Sequence, residues 1–318
     1  MKVHTCEQLM NKYSGKGLRF TNTKIPIALS PGDSRDVYNI TSPFFYNGSQ
    51  VLLGRVGYRN SEDSDIIFFR RNSGVWIQDT RFQILEHLQD PFYAYISGKL
   101  IIGGIEAYLT EDKEPSYRAI FLRETGAFQF ERFAHGPGHM KDIRLLELPD
   151  HRILATTRPQ GKIGYIILPT LADINPQTLS QGEIFYDQFT DDEWGGTNQL
   201  QLLKNGKVGV LSHIAKLDSA GNRHYFCTSF LLDPISGYHS RMKIIATRQN
   251  FEAGESKRPD LQDVVFGGGI VRLGNGVARL YCGVGDTEAH CISILDPFYR
   301  FEKQSHLKFE KAKCSCDI

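Results

Sequence analysis

The sequence lacks what would send it into a membrane, onto a nucleic acid or out of the cell. No apolar run approaches the roughly 20 residues that a membrane helix needs. The opening stretch, MKVHTCEQLMNKYSGKG, has no apolar core of the kind a secretion signal carries. The net charge is +1, so there is no electrostatic case for a nucleic acid or an acidic membrane as partner. A cytoplasmic protein is expected. Six cysteines (Cys6, Cys227, Cys282, Cys291, Cys314 and Cys316) are scattered, and in that compartment they are expected as thiols. Cys282 and Cys291 lie in strand-like sequence and read as small core residues. Cys314-Ser315-Cys316 sits in a tail rich in Lys and Glu, read as disordered, with too few other ligands for a metal.

Catalytic signatures are missing too. There is no H-E-x-x-H or C-x-x-C, no G-x-S-x-G, and no phosphate-binding glycine loop ahead of a helix. His135, His139, Asp142 and His213 have the chemistry for a metal but not the spacing, so no metal is expected. Helical periodicity is nearly absent, except for short stretches near the ends.

What is present is a repeated hairpin. NITSPFFYNGSQVLLGRV begins at Asn39, DPFYAYISGKLIIGGIE at Asp90, DIRLLELPDHRILATTR at Asp142, NQLQLLKNGKVGVLSH at Asn198 and DVVFGGGIVRLGNGVARLYCGVGD at Asp263. Each opens with Asp or Asn, runs through an apolar strand, turns tightly and returns. Further strand-like runs, such as SDIIFFRRNSGVWIQ and YRAIFLRETGAFQFERF, fill the intervals. Units of roughly 50 residues with room for four strands are the mark of a β-propeller. The expected fold is therefore all-β, one five-bladed β-propeller over residues 1–318. Its blades fall near 36–80, 81–133, 134–187, 188–250 and 251–300, with the terminal segments helping to close the ring. Glycine-rich GGTNQL and FGGGIV are read as close backbone approaches near the axis. Exposed blade edges leave room for a homodimer.

In a blade, the residues before the first strand and after the second lie on the same face. That places Asn39 with Arg55 and Arg59, Asp90 with Glu106, Lys141 and Asp142 with Arg158, Asn198 with His213, and Asp263 with Asp286 at one mouth of the channel. Carboxylates bond sugar hydroxyls, and a protonated one can donate to a departing glycosidic oxygen. Arg55, Lys141, Arg158 and His213 are more than neutral hydroxyls require, but they suit a phosphate. An anionic nucleophile needs no catalytic base, which is the logic of a phosphorylase. Three other readings stay open on the residues alone. The cations could pair with Asp142, Asp263 and Asp286 as a structural network. Glu106 or Asp286 could serve as base in an inverting hydrolase. The mouth could bind sugars without turning them over. Phe92, Tyr58 and Trp194 could stack on sugar faces or belong to the core.

The runs QDPF…GGIE, KDIRLLEL…TTRP, WGGTNQL…GKVGVLSH and DVVFGGGIVRL…LYCGVGDTEAHCISI resemble glycoside hydrolase family 130, and more closely its β-1,2-mannan mannosyltransferase/phosphorylase relatives. The resemblance spans about residues 36 to 298. It implies a five-bladed propeller that cleaves β-mannosides with phosphate, reversibly and with inversion, giving α-mannose 1-phosphate. Some relatives take nucleotide-activated mannose. No cofactor is implied beyond inorganic phosphate as co-substrate. By resemblance Asp90 is the general acid, acting through a substrate hydroxyl. Lys141, Arg158 and His213 hold phosphate. Arg55, Arg59, Asp142 and Asp286 hold sugar, with Asn39, Glu106, Asn198 and Asp263 at the same mouth. Gln89 and Phe92 replace the family's Glu and Arg around Asp90-Pro91, which favours the transferase/phosphorylase relatives, and Gly57 replaces a Glu, which removes a hydroxyl contact.

Overall fold

The computed structural model describes residues 3–303. Cys314 and Cys316 lie outside the described residues. The chain is all-β, and its strands fall into hydrogen-bonded sheets of six, four, four and seven. The repeated hairpins are all there: Phe44–Tyr46 with Ser49–Gly57, Gln89–Ile96 with Lys99–Leu109, Arg144–Glu147 with Ile153–Thr157, Glu193–Leu202 with Val208–Leu217, and Asp263–Arg272 with Val277–Val284. We number the units they lead one to five. In units one and two both central turn residues are left-handed: Asn47 (φ 45°) with Gly48 (75°), and Ser97 (52°) with Gly98 (73°). That turn twists the same way as the strands it joins. Units four and five share a sheet through a short parallel ladder, His224 with Asp263 and Tyr225 with Val264.

Burial of both sheet faces explains why strands such as SDIIFFRR read as unbroken apolar runs. Alternate side chains serve alternate neighbours. Ile66 and Phe68 pack with Leu100, Ile102 and Ile120 of unit two, while Ile67 and Phe69 pack with Tyr281 and Ala289 of unit five. Three further clusters join units two and three, three and four, and four and five. Each apolar cluster thus sits between consecutive units, and one joins the last unit to the first. Truncating a side chain as buried as Phe68 would cost about 3–5 kcal/mol.

The segment before unit one stitches that same junction. Ile25 N–H donates to Ala289 O and Cys291 N–H to Thr23 O, and Ile27–Ala28 then runs parallel to Trp76 and Ile77. This covers strand edges that would otherwise pair with other chains. The inner strands also close on one another here. A Cβ on Gly268 would lie 1.5 Å from the Ile40 carbonyl oxygen, so only glycine fits. Among the described residues no helix is long and apolar enough to cross a membrane.

Candidate active site

Polar residues stand at the heads of the inner strands, and most are held in backbone geometry that the side chain alone would not choose. Asn39 (φ 44°), Asp90 (48°) and Asp142 (58°) are all left-handed. Each costs roughly 1–2 kcal/mol, which the surrounding sheet must sustain. Asn198 occupies a ladder slip between Thr197 and Gln199, and Gly268 one between Gly267 and Gly269. Asp90, Asp142, Asn198 and Gly268 stand equally far ahead of their turn residues Gly98, Asp150, Gly206 and Gly276. The fifth head is therefore Gly268 and not Asp263. Asp263 only starts its strand, where its carboxylate pairs with His224 at 2.5 Å. Asp286 (φ 53°) comes from the turn between Val277–Val284 and Glu288–Leu295.

These heads form two clusters. In the first, Asn39 Nδ2 donates to Asp90 Oδ1 (2.9 Å) and to Asp286 Oδ1 (3.4 Å). Arg55 Nη1 donates to the same Asp90 oxygen at 3.3 Å, while its Nε and Nη2 are fixed by Ser64 Oγ and Glu62 O. The guanidinium lies 5.1 Å from the Tyr38 ring centre. Lys257 Nζ lies 5.9 Å from that ring and donates to Ser61 O. Loss of hydration raises the Asp286 carboxyl above its ordinary range; the Arg55 cation opposes this, and the Asp90 charge adds to it. Room for Asn39 comes from Gly283, where a Cβ would meet Asn39 Oδ1 at 1.9 Å.

The second cluster surrounds Asp142, 1% exposed. Arg158 Nη1 sits 3.0 Å from its Oδ2, and Arg158 Nε donates to Gly195 O. His213 Nε2 is 3.9 Å from the same oxygen, and His213 Nδ1–H donates to Asn198 Oδ1 at 2.9 Å. Arg144 donates to Asn198 O (2.8 Å) and Ile143 O, with Phe92 beneath its guanidinium. Lys141 lies 5.8 Å from the Tyr117 ring centre. Burial would raise Asp142, but Arg158 first, then His213, Lys141 and Arg144, hold it down at about 2. Burial holds His213 at about 3, so it is neutral at physiological pH. Three cations (Arg158, Lys141 and Arg144) thus face one carboxylate, a surplus of positive charge. Gly196 makes the space, since a Cβ there would lie 2.3 Å from Asp142 Oδ2.

Arg144 links the two clusters, because its charge acts on both Asp142 and Asp90. Around them, Tyr38 Oη, Asn39 Oδ1, Asn198 Nδ2, both Asp142 oxygens and Thr287 Oγ1 are buried with no aligned hydrogen bond. Stability alone gives no reason to bury such atoms, each at about 1–3 kcal/mol. A ligand rich in hydroxyls, which both donate and accept, would satisfy them.

Asn39, Arg55, Asp90 and Asp286 therefore meet, as do Lys141, Asp142, Arg158, Asn198 and His213. Three expected members engage other partners. Arg59 is 45% exposed and pairs with Asp36 and Glu255. Glu106 is gripped by Arg118 and Arg132. Asp263 is held by His224. Phe92 is a core ring, Tyr58 is exposed, and Trp194 donates its Nε1–H to Tyr225 Oη. Tyr38, Arg144 and Lys257 were not singled out in the sequence. Arg144 leaves a signal there, a lone cation inside the apolar run DIRLLEL; Tyr38 and Lys257 leave none. Among the described residues no group of three or more His, Cys, Asp or Glu side chains could hold a metal. A separate cavity of about 660 Å³, lined by residues such as Tyr13, Phe230, Ile244 and Phe298, shares no lining residue with either cluster.

The family model described as "Protein of unknown function (DUF1861)" matches residues 18–300. No curated protein matches the sequence. Among solved structures, a mannose phosphorylase from Leishmania mexicana in complex with phosphate ion is similar at 32% identity and TM-score 0.82, over 92% of this chain and 93% of that one. A GDP-Man-dependent mannosyltransferase from Leishmania mexicana is similar at 30% identity and TM-score 0.82, over 92% and 95%. A β-1,2-mannobiose phosphorylase from Listeria innocua shares the fold at 15% identity and TM-score 0.60, over 85% and 92%. These neighbours have a propeller-like glycosidase fold.

Proposed function

This chain belongs to the DUF1861 family and to that of the Leishmania mannose phosphorylases and mannosyltransferases, and on that premise we propose that it is a phosphorylase or mannosyltransferase acting on β-1,2-linked mannosides. The observation that carries this reading is the surplus of cations around Asp142, set beside a carboxyl pair. Arg158, Lys141 and Arg144 outnumber the one carboxylate they face, and a phosphate dianion would balance them. Neutral His213 adds a polar nitrogen to that pocket, and Asn198 fixes its ring.

Asp90 is the acid in this reading. A phosphate oxygen forms a bond to the anomeric carbon on the face opposite the glycosidic oxygen, whose bond to that carbon breaks. The departing oxygen receives the Asp90 proton, directly or through a substrate hydroxyl. The proton carried in on phosphate restores Asp90. The products are α-mannose 1-phosphate and a mannoside shortened by one sugar; a nucleotide-activated mannose would enter as donor in the reverse sense. This reading takes the fold as a five-bladed propeller, and apolar clusters linking consecutive units around to the first support it.

A hydrolase would need a base roughly 6.5–9.5 Å from the acid. Asp90 Oδ1 and Asp286 Oδ1 bond one nitrogen, at 2.9 and 3.4 Å, so they lie closer together than that. Glu106 is already engaged by two arginines. The test is β-1,2-mannobiose incubated with and without inorganic phosphate, with mannose 1-phosphate resolved from mannose. Mannose 1-phosphate appearing only with phosphate is expected, and Asp90→Asn should lower kcat by about 10²–10⁴-fold. Free mannose formed equally in both tubes would overturn the reading.

A further inference from the structure

We infer that Asp90 and Asp286 work as one carboxyl pair, bridged by the Asn39 amide and holding one proton rather than none, so that Asp286 is a positioning residue that sets the charge beside Asp90. This rests on the reading of Asp90 as the acid.

Three non-glycine residues, Asn39, Asp90 and Asp286, are each held left-handed, and their side chains converge on one nitrogen. An amide N–H₂ bonding two carboxyl oxygens at once brings like charges together, which disfavours ionising both. The surrounding charges agree. Arg55 faces Asp90 from Ser49–Gly57, with Tyr38 beneath it from Asp36–Tyr38. Lys257 approaches from the loop before unit five, but its Nζ is taken by Ser61 O and Glu62. Arg144, from the head of unit three, acts on Asp90 but acts on Asp142 first. Arg55 and Lys257 both stand near the pair, each also facing Glu62, and both draw the Asp286 carboxyl down against its loss of hydration. Among the described residues only Asp90 of the two has a direct ion-pair partner, Arg55 at 3.3 Å, so a proton on Asp286 leaves the fewest unpaired charges. Loss of hydration at Asp286, reinforced by the Asp90 charge, favours the same state.

A pair of this kind suits acid chemistry, because a like charge beside a carboxyl disfavours its ionisation.

Two measurements test this, and the first needs no turnover. Carbon-13 carboxyl NMR of the full chain, with labelled aspartates, follows Asp286 through a pH titration, its resonance assigned by its loss in Asp286→Asn. The Asp286 midpoint should lie above the ordinary carboxyl range and fall in Asp90→Asn. A midpoint that is the same with and without the Asp90 charge overturns the coupling. The second follows phosphorolysis of β-1,2-mannobiose by Asp286→Asn. The alkaline limb of kcat/KM should move down by about one pH unit or more, as for a broken dyad, with the mannoside KM within about twofold. A KM raised tenfold or more, with the alkaline limb in place, would make Asp286 a sugar ligand only and overturn the inference. If the wild-type chain makes no mannose 1-phosphate, the reading of Asp90 fails while the NMR result still decides the pair.

Discussion

Asp90 and Asp142 are built alike and end up with opposite characters. Both are aspartates at the head of an inner strand, both left-handed, both buried. Asp142 is surrounded by Arg158, Lys141 and Arg144 and is driven to about 2, so it is a fixed negative charge. Asp90 shares Asn39 with a second carboxyl and has Arg55 as its near counterion. The repeat supplies the position; the neighbours supply the chemistry. One carboxylate organises cations, and the other is the acid of the proposed reaction.

The largest effects should come from crossing that comparison. Asp142→Asn leaves Arg158, Lys141 and Arg144 packed together without their counter-charge. Breaking a buried ion cluster from one side costs about 3–5 kcal/mol. Thermal unfolding should show that loss, whereas Asp90→Asn should unfold within about 1 kcal/mol of wild type, because its site keeps the Asp286 carboxyl. Equal destabilisation by the two substitutions would break the contrast.

The next effect separates substrate from acid. Arg158→Met should raise the KM for phosphate at least tenfold, a loss of about 1.4 kcal/mol or more, while the mannoside KM stays within about twofold. Direct titration of phosphate into Asp90→Asn should still show binding. Should Arg158→Met raise the mannoside KM instead, the second cluster holds sugar and the roles of the two regions change places.

Much of this organisation was legible in the sequence, for a physical reason. Sheets buried on both faces demand continuous apolar runs, and tight turns demand Asn-Gly or Ser-Gly, so the hairpins announce themselves. Heads of four strands, Asn39, Asp90, Asp142 and Asn198, followed from the same pattern. The fifth was misplaced because the strand of unit five begins early to pair with His224, so counting from its start reached Asp263; counting back from Gly276 reaches Gly268. Arg59 and Glu106 were grouped by their place after a strand, but exposed and half-buried ions find their partners in loops and neighbouring strands that the repeat does not encode. Lys257 was missed because it reaches the site from an irregular loop with no periodicity to read.

Glycine positions sharpen the comparison at smaller scale. Gly283 faces Asn39, and a Cβ there meets the amide oxygen at 1.9 Å and the backbone nitrogen at 2.5 Å. Gly196 faces Asp142, and its nearest clash, at 2.3 Å, is with the carboxylate. Backbone cannot step aside as a side chain can. Gly283→Ala should therefore destabilise by about 2–3 kcal/mol and Gly196→Ala by about 1–2 kcal/mol. Gly196→Ala should weaken phosphate binding as Asp142 shifts its cations, with Gly283→Ala acting mainly on kcat through Asn39. Stability and steady-state kinetics on the two variants check this, and the reverse pattern would disconnect each glycine from its cluster.

The last effect is in pH. His213 is held neutral, with its folded-state value near 3, against about 6.5 for an unhindered histidine. The unfolded chain therefore binds a proton that the folded chain refuses once pH drops below about 6.5, and stability should decline from there. Asp142 adds its own loss only lower down. Its folded value near 2 is below the unfolded value of about 3.9, so its contribution is full above about 4 and disappears as pH falls toward 2. Urea unfolding of His213→Gln should show a flatter profile between about pH 6.5 and 4 than wild type, with the steep loss below pH 4 retained. A wild-type profile in His213→Gln would mean that the imidazole is protonated in the folded protein, and the second cluster would then carry a fourth cation.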